Sequence, residues 1–336
     1  MSDESKTHGN TAQEPIDVGV IGVGTMGQHH ARVYDSLPTA NLVGVYDLDV
    51  EHAREVADRY NATATDLRSL LEQVDAVSVA VPTPYHYNTV TSCLDANVAA
   101  LVEKPVVGTL EDGERLKAAV RKADVPVQVG HIERFNPAVQ ALSEIIPDLS
   151  VIGVKAERLG PPPKRELSDN AVLDLMIHDI DVVCSLLGES PATVDSAGVA
   201  DNKHATALMK FDSGTIASLT ASRLTQRKVR RLEITAESCL IELDYLDQSI
   251  QIHRQSVPEY VQQNGGVRFT HESIVEHPRV PNEEPLRNEL ESFLETVATE
   301  TSPEVTIEDG LTALEIATQI DRRGRYQAQS SEVYHD

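Results

Sequence analysis

Three side chains in this 336-residue sequence have the types needed to move a proton and steady a developing negative charge: Lys104, Asp174 and His178. Histidine has an ordinary pKa of about 6.5, which suits proton transfer near neutrality. Asp174 precedes His178 by one helical turn in the run Asp174-Leu-Met-Ile-His178-Asp179-Ile-Asp181. At that spacing a carboxylate can fix an imidazole's tautomer and stabilise its imidazolium. Positions 174, 178 and 181 share one face of an expected helix over 171–187, ended at Gly188, and Asp179 lies off that face. Lys104 stands in Glu103-Lys104-Pro105, directly after the apolar run 99–102. A lysine at the carboxyl end of a parallel strand, braced by Glu103 and fixed by Pro105, would point into a cleft. There it can hydrogen-bond a substrate hydroxyl and stabilise an alkoxide. Two other readings stand beside these, a hydrogen-bonded structural histidine and a surface Glu–Lys pair. A metal site of Asp174, His178, Asp181 and His131 is a third, but nothing along the chain fixes its last ligand, and no metal is assigned.

The element that must present an electron acceptor to these groups is the turn at Gly22-x-Gly24-x-x-Gly27. The apolar run 16–21 reads as a buried strand, and a helical pattern opens through Met26, His30, Val33 and Leu37. Gly22 permits the tight turn, Gly24 lets backbone approach a pyrophosphate, and Gly27 lets helix pack on strand. The helix start then offers its N–H groups to the phosphates, with Thr25 and Met26 inside the turn. Asp47 closes the next strand, 41–47, where a carboxylate accepts hydrogen bonds from a ribose 2′-hydroxyl and repels a 2′-phosphate. NAD is therefore expected rather than NADP. The competing reading makes Asp47 a cap for the helix beginning near Val50.

Helices at 51–60 and 66–73, with a short strand at 62–65, lead to a buried strand at 75–81. Pro82-Thr83-Pro84-Tyr85-His86 stops it in an exposed loop, at the end of the sheet where such folds place ligands, so Thr83 and His86 are candidate cofactor contacts. His86 is equally placed to begin the helix that runs to Ala96. A helix at 110–123 and a sixth strand at 125–130 complete a doubly wound parallel sheet. After Pro137 the pattern changes. A helix at 138–146 and a strand at 150–157 precede Arg158-Leu-Gly160-Pro-Pro-Pro-Lys164-Arg165, whose cations in an acidic chain suggest an anionic ligand or neutralise nearby carboxylates. Strands at 194–199, 205–211, 215–222, 231–236, 239–243 and 249–253 read as an antiparallel meander with one face covered by helices; an irregular polar stretch at 262–284 and amphipathic helices at 286–299 and 307–327 follow. The fold class is α/β: a nucleotide-binding domain at 16–135 and a second domain with an open antiparallel sheet at 136–327. A polar arm at 1–15 and a tail at 328–336 flank them.

The net charge is −24, from 53 acidic and 29 basic residues, with 9 Lys to 20 Arg and no Trp. Such a field repels nucleic acid and anionic membranes, and a Lys-poor acidic surface suits a salt-rich cytoplasm. The three cysteines, Cys93, Cys184 and Cys239, are scattered, which argues for a reducing compartment and against a disulfide frame. No apolar run is long enough to span a bilayer and no leader pattern opens the chain.

The three motifs Gly22-x-Gly24-x-x-Gly27, Glu103-Lys104-Pro105 and Asp174-x-x-x-His178 occur together and in order. On them the chain resembles the glucose–fructose oxidoreductase, inositol dehydrogenase and MocA-type family over roughly residues 16–327. The resemblance implies reversible hydride transfer between a sugar or cyclitol carbon and a nicotinamide, with the active site between two domains. It places Lys104, Asp174 and His178 at the catalytic positions, and it implies pairing of sheets into homodimers or homotetramers. Gly130-His-Ile-Glu-Arg134-Phe-Asn-Pro137, Arg158-x-Gly-Pro and Asp174-Leu-x-x-His-Asp-Ile-Asp181 are similar to the archaeal UDP-N-acetylglucosamine 3-dehydrogenase branch, which forms a 3-keto sugar nucleotide with NAD. That similarity implies substrate contacts from Arg134, Arg158 and Arg165, the basic loop meeting a diphosphate. The stretch Asn170-Ala-Val-Leu173 departs from the glycines many relatives carry before the aspartate. Two rival readings remain at this stage: a dehydrogenase of free inositol or aldose, and a non-catalytic sensor on the same scaffold.

Overall fold

The structure, a computed structural model, describes residues 14–162, 170–255, 259–263, 266–270 and 273–332. The first half alternates strand and helix: β1 (Ile16–Ile21), α1 (Thr25–Ser36), β2 (Ala40–Tyr46), α2 (Val50–Arg59), β3 (Thr63–Ala64), α3 (Leu67–Leu71), β4 (Ala76–Val79), α4 (His86–Asp95), β5 (Ala99–Glu103), α5 (Leu110–Val120) and β6 (Val127–Gly130). The strands pair in parallel in the order β3-β2-β1-β4-β5-β6. The chain reverses direction across the sheet between β1 and β4, so a crevice opens at their carboxyl ends. The strands are largely apolar because helices cover both faces, and Val18, Val20, Ala76, Val77, Val79, Ala100, Leu101 and Val102 are fully buried. Asp49, Asp66 and Thr109 cap α2, α3 and α5 by accepting from His52 N, Ser69 N and Asp112 N.

The second half contains α6 (Pro137–Ile145), β7 (Val151–Leu159), a π-helical turn (Val172–Met176) running into α7 (Ile177–Leu187), then β8 (Thr193–Val199), β9 (His204–Lys210), β10 (Ile216–Ser222), β11 (Val229–Ala236), β12 (Leu240–Asp244), β13 (Ser249–Gln255), β14 (Glu259–Gln263), β15 (Gly266–Thr270), β16 (Ser273–Glu276), α8 (Pro285–Thr299) and α9 (Ile307–Glu332). The larger sheet has the order β16-β13-β12-β11-β7-β10-β9-β8. It is not a simple meander. β7 lies in its middle, parallel to β10 and antiparallel to β11. The stretch expected to be irregular at 262–284 supplies β16 and, with 259–263, the hairpin β14–β15. The buried residues of β8 to β13 recur at every second position, which gives the sheet one face packed under α7 and α9 and one open face.

The two halves interlock late in the chain. Leu286, Leu290, Phe293 and Leu294 of α8 pack with Val18, Val20 and Tyr34 of the first half. In α9, Ile307, Leu311 and Leu314 join the core around β5 and β6, whereas Ala313, Ile316, Ala317 and Ile320 join the core of the second sheet. The segment 136–327 therefore spans both cores. α9 is the shared wall that sets β5 and β6 against α7.

Candidate active site

The glycine turn folds as its residue types require. Gly22 has φ +86°, a value L side chains avoid, and a Cβ on Gly27 would lie 1.9 Å from the Gly22 carbonyl oxygen. Nothing stands within 4 Å of a Cβ built on Gly24, and no side chain caps the start of α1. Above this turn is a hollow of about 580 Å³ lined by Gly22, Gly24, Thr25, Met26, Asp47, Leu48, Val81, Pro82 and Tyr85. Apolar walls, an uncapped helix start and one carboxylate suit an adenosine diphosphate moiety. Asp47 Oδ2 accepts from Val23 N at 2.8 Å and Oδ1 from Asp49 N at 3.0 Å. The cap of α2 is Asp49, so Asp47 is left to close the turn and edge the hollow. Thr83 begins a short 3₁₀ turn, Thr83–Tyr85, beside that hollow.

His86 is a correction. Its ring is buried, with Nδ1 2.9 Å from the Pro105 carbonyl oxygen and Nε2 2.8 Å from that of Val81. Both nitrogens face carbonyl oxygens inside the protein; burial holds its pKa below the ordinary value, and the neutral ring donates to one of the two. His86 bridges the end of β4 and Pro105, which follows a cis peptide bond.

Behind the lysine lies a relay that sequence reasoning missed. His30 Nε2 sits 2.9 Å from Glu103 Oε1, His30 Nδ1 2.8 Å from Ser78 Oγ, and Ser78 Oγ 2.9 Å from Tyr34 OH. An ionised Glu103 only accepts, so Nε2 carries the hydrogen. Ser78 Oγ links Nδ1 to the Tyr34 hydroxyl, able to donate to one and accept from the other. Burial alone would raise the Glu103 pKa, but the His30 hydrogen bond and the charge of Lys104 outweigh it and hold the carboxyl low. The clue in the sequence was His30 on the buried face of the first helix.

Lys104 Nζ donates to Asp174 Oδ1 at 2.9 Å and to the Asp174 carbonyl oxygen at 2.8 Å. Arg223 donates to the other oxygen, Asp174 Oδ2. Burial pushes the Asp174 carboxyl up, but Lys104 and Arg223 together hold it below the ordinary carboxylate range. The aspartate expected to orient His178 thus braces the lysine instead. The π turn over Val172–Met176 changes the rotation between 174 and 178 that an α-helix would give. His178 is half-buried, and its Nδ1 is sunk with no hydrogen-bond partner among the described residues. Burial and the positive charges of Lys104 and Arg158 hold its pKa well below the ordinary value, so the ring is neutral at pH 7. His131 meets it edge to face, ring centroids 6.5 Å apart; its two nitrogens are buried with no hydrogen-bond partner among the described residues, and Nδ1 lies 3.9 Å from Asp181 Oδ2. Among the described residues no group of three or more His, Cys, Asp or Glu is placed to hold a metal.

The expected anion-binding arginines are differently employed. Arg158 is 3 % exposed, clasps Asp179 through Nε and Nη2 at 2.9 and 2.8 Å, and reaches Glu133 at 2.7 Å. Arg134 clasps Asp181 through the same two nitrogens at 2.7 and 2.8 Å. Two buried carboxylates consume these guanidinium edges, so both arginines position α7 rather than meet a diphosphate. Arg165 and Lys164 lie outside the described residues.

A parallel sheet with an open glycine turn, and a carboxylate-braced lysine ending the strand that faces a neutral histidine, define a nicotinamide-dependent oxidoreductase. Residues 16–131 match the model of the oxidoreductase family's NAD-binding Rossmann fold, and 155–242 match its C-terminal domain. The chain belongs to the GFO/IDH/MocA family and is an NAD-binding sugar oxidoreductase. It is 33% identical over 292 residues to a UDP-N-acetylglucosamine 3-dehydrogenase of Acidithiobacillus ferrooxidans, covering 83% of this chain and 88% of that one. A solved structure of that enzyme superposes with a TM-score of 0.84 at 30% identity, over 93% of this chain and 98% of the other. A myo-inositol 2-dehydrogenase of Thermotoga maritima is 26% identical over 319 residues, covering 88% and 92% of the two chains. Levoglucosan dehydrogenase, solved with NADH and levoglucosan, shares the fold with a TM-score of 0.78 at 20% identity, over 93% and 98%.

Proposed function

We propose that this protein oxidises the 3-hydroxyl of UDP-N-acetylglucosamine with NAD to a 3-keto sugar nucleotide. The observation that carries the chemistry is Lys104 Nζ, pinned by Asp174 at the end of β5 in electrostatic reach of the His178 ring. The substrate reading is supported by the 33% identity that extends over 88% of the Acidithiobacillus enzyme. NAD, when bound over the glycine turn, supplies the hydride acceptor. The protein's part is proton and charge handling. Lys104 donates a hydrogen bond to the reacting hydroxyl oxygen and stabilises it as the proton leaves. His178, neutral at working pH, takes that proton on Nε2, the ring nitrogen opposite the sunken Nδ1. Asp174 and Arg223 keep the ammonium aimed and prevent it from swinging to solvent.

The second reading, a dehydrogenase of free myo-inositol or an aldose, is favoured by the Thermotoga relative. Retention of Lys104, Asp174 and His178 argues against a non-catalytic sensor. Following NADH formation at 340 nm across UDP-sugars, free sugars and inositols separates the readings, with UDP-N-acetylglucosamine expected to give the highest kcat/KM. Replacement His178→Ala should lower kcat by about 10²–10⁴-fold with NAD affinity unchanged. Equal turnover in parent and variant would remove His178 from the reaction. The open face of the larger sheet, with Ile152, Leu208 and Ile216 about half exposed, suits pairing with a second copy in a homodimer or homotetramer, which light scattering would measure. Three unpaired cysteines suit a reducing cytoplasm.

A further inference from the structure

The stretch 223–231, Arg-Leu-Thr-Gln-Arg-Lys-Val-Arg-Arg, holds five cations and no acid in a chain of net charge −24. Two of the five are spoken for inside the protein: Arg223 on Asp174, and Arg231 on Asp244 at 3.4 Å across the open face. Arg227 and Lys228 are exposed in the turn between β10 and β11 and form no ion pair with the described residues. This turn is fastened to the end of β7, Thr225 N donating to the Gly160 carbonyl oxygen at 3.1 Å. It therefore stands at the same end of the sheet as Arg223 and the Lys104–Asp174 pair.

Arg230 points to the helix-covered side of β11, the side of Leu232 and Ile234, and is half-buried. Its Nη1 donates to the Leu159 carbonyl oxygen at 2.6 Å and to that of Val229 at 2.8 Å. Its Nε and Nη2 donate to no described residue. That is the edge with which Arg134 and Arg158 each clasp a carboxylate, and on Arg230 it meets no acid among the described residues. The guanidinium is close enough to His178 and Asp174 to act on their charges. Burial and the neighbouring Arg158 press against its positive charge, a cost that an incoming anion would offset.

We propose that Arg230, continued outward by Arg227 and Lys228, is the subsite for the diphosphate of a nucleotide sugar whose sugar ring lies between Lys104 and His178. The subsite rests on the nucleotide-sugar reading above and gives it a residue. The cations fall in the order such a substrate needs: Lys104 for the reacting hydroxyl, then one half-buried guanidinium, then two exposed charges in the turn. A planar guanidinium edge fits phosphate oxygens in pairs, whereas a neutral cyclitol or aldose offers it nothing comparable.

The test is calorimetric titration of UDP into the full chain loaded with NADH. The parent should bind UDP, and Arg230→Met should weaken it roughly 10- to 100-fold, as expected for the loss of charge-assisted hydrogen bonds. Arg230→Lys should fall between, and the NADH affinity should stay unchanged in both. The paired change Arg227→Gln and Lys228→Gln, on exposed positions, should cost a few-fold at low salt and less at high salt, and it carries the test even if Arg230→Met does not fold. With UDP-N-acetylglucosamine, the KM of Arg230→Met should rise while kcat changes little. The subsite is overturned if the parent does not bind UDP, if UMP binds as tightly as UDP, or if the variants bind UDP like the parent. If UDP binds with these losses but UDP-N-acetylglucosamine yields no NADH, the substrate reading fails and the subsite stands. If that substrate is oxidised with unaltered KM in every variant, the reverse holds.

Discussion

Asp174 commits one oxygen to Lys104 and the other to Arg223, and it makes no hydrogen bond to the buried Nδ1 of the histidine that follows. His178 consequently owes its protonation state to burial and to surrounding cations, all of which oppose an imidazolium. The expected signature is a displaced acid limb. An unperturbed histidine base would halve kcat/KM near pH 6.5, whereas here the rate should hold through that value and fall only at lower pH. Linkage runs the same way. Between the depressed native pKa and about 6.5 the unfolded chain binds a proton that the folded one refuses, so His178 costs stability progressively as pH falls through that window. A pH–rate profile with NAD saturating would check the kinetic limb, and an inflection at 6.5 would show that the ring is not so held. Asp174, also depressed, adds its own loss only at more acidic pH, below the ordinary carboxylate range.

At the scale of elements, the β1–α1–β2 unit carries coenzyme choice. Asp47 both accepts from Val23 and Asp49 and edges the hollow, so its replacement mixes two effects. Asp47→Ala should raise the KM for NAD about tenfold or more and narrow the gap to NADP. Asp47→Asn keeps an acceptor for the turn but removes the charge, and should narrow the gap with less loss on NAD. Comparing kcat/KM for the two coenzymes checks this, and an unchanged ratio in both variants would detach Asp47 from coenzyme choice. This unit was legible in the sequence because its determinants are local: a turn that only glycines permit, and a helix start four residues from the strand. The strands β7 to β13 were legible for a similar reason, since alternation marks each run without its partners, whereas β14 to β16 fell largely in a polar stretch read as irregular. Their order was not. β7 enters between β10 and β11 through contacts far apart in sequence, and alternation carries no information about neighbours. Nor could the sequence say that Arg158 and Arg134 meet Asp179 and Asp181, because charge alone does not distinguish a buried clasp from an anion site. The helix period over 171–187 likewise hides the π turn that separates Asp174 from His178.

Across the whole molecule two electrostatic demands oppose each other. The chain carries −24, yet the reaction cleft gathers Lys104, Arg158, Arg223 and Arg230 around one neutral histidine. Inside, paired carboxylates balance those cations at short range, as Asp174, Asp179 and Glu133 do. Over the whole chain, 53 acidic residues against 29 basic ones leave a net repulsion that folding compresses. Screening shortens its reach from about 10 Å at 0.1 M salt to about 3 Å at 1 M. The melting temperature should therefore climb steeply with KCl up to about 1 M and then level off, as screening saturates. A preferential-exclusion effect would instead keep rising with concentration. The buried pairs are screened far less, so the same salt range should leave Lys104 in place and kcat little altered while stability rises. Scanning calorimetry across a KCl series, with turnover measured alongside, tests both halves. A flat melting temperature would mean that the acidic surface bears no net repulsion in the folded state, and the salt-rich setting inferred from composition would lose its physical basis.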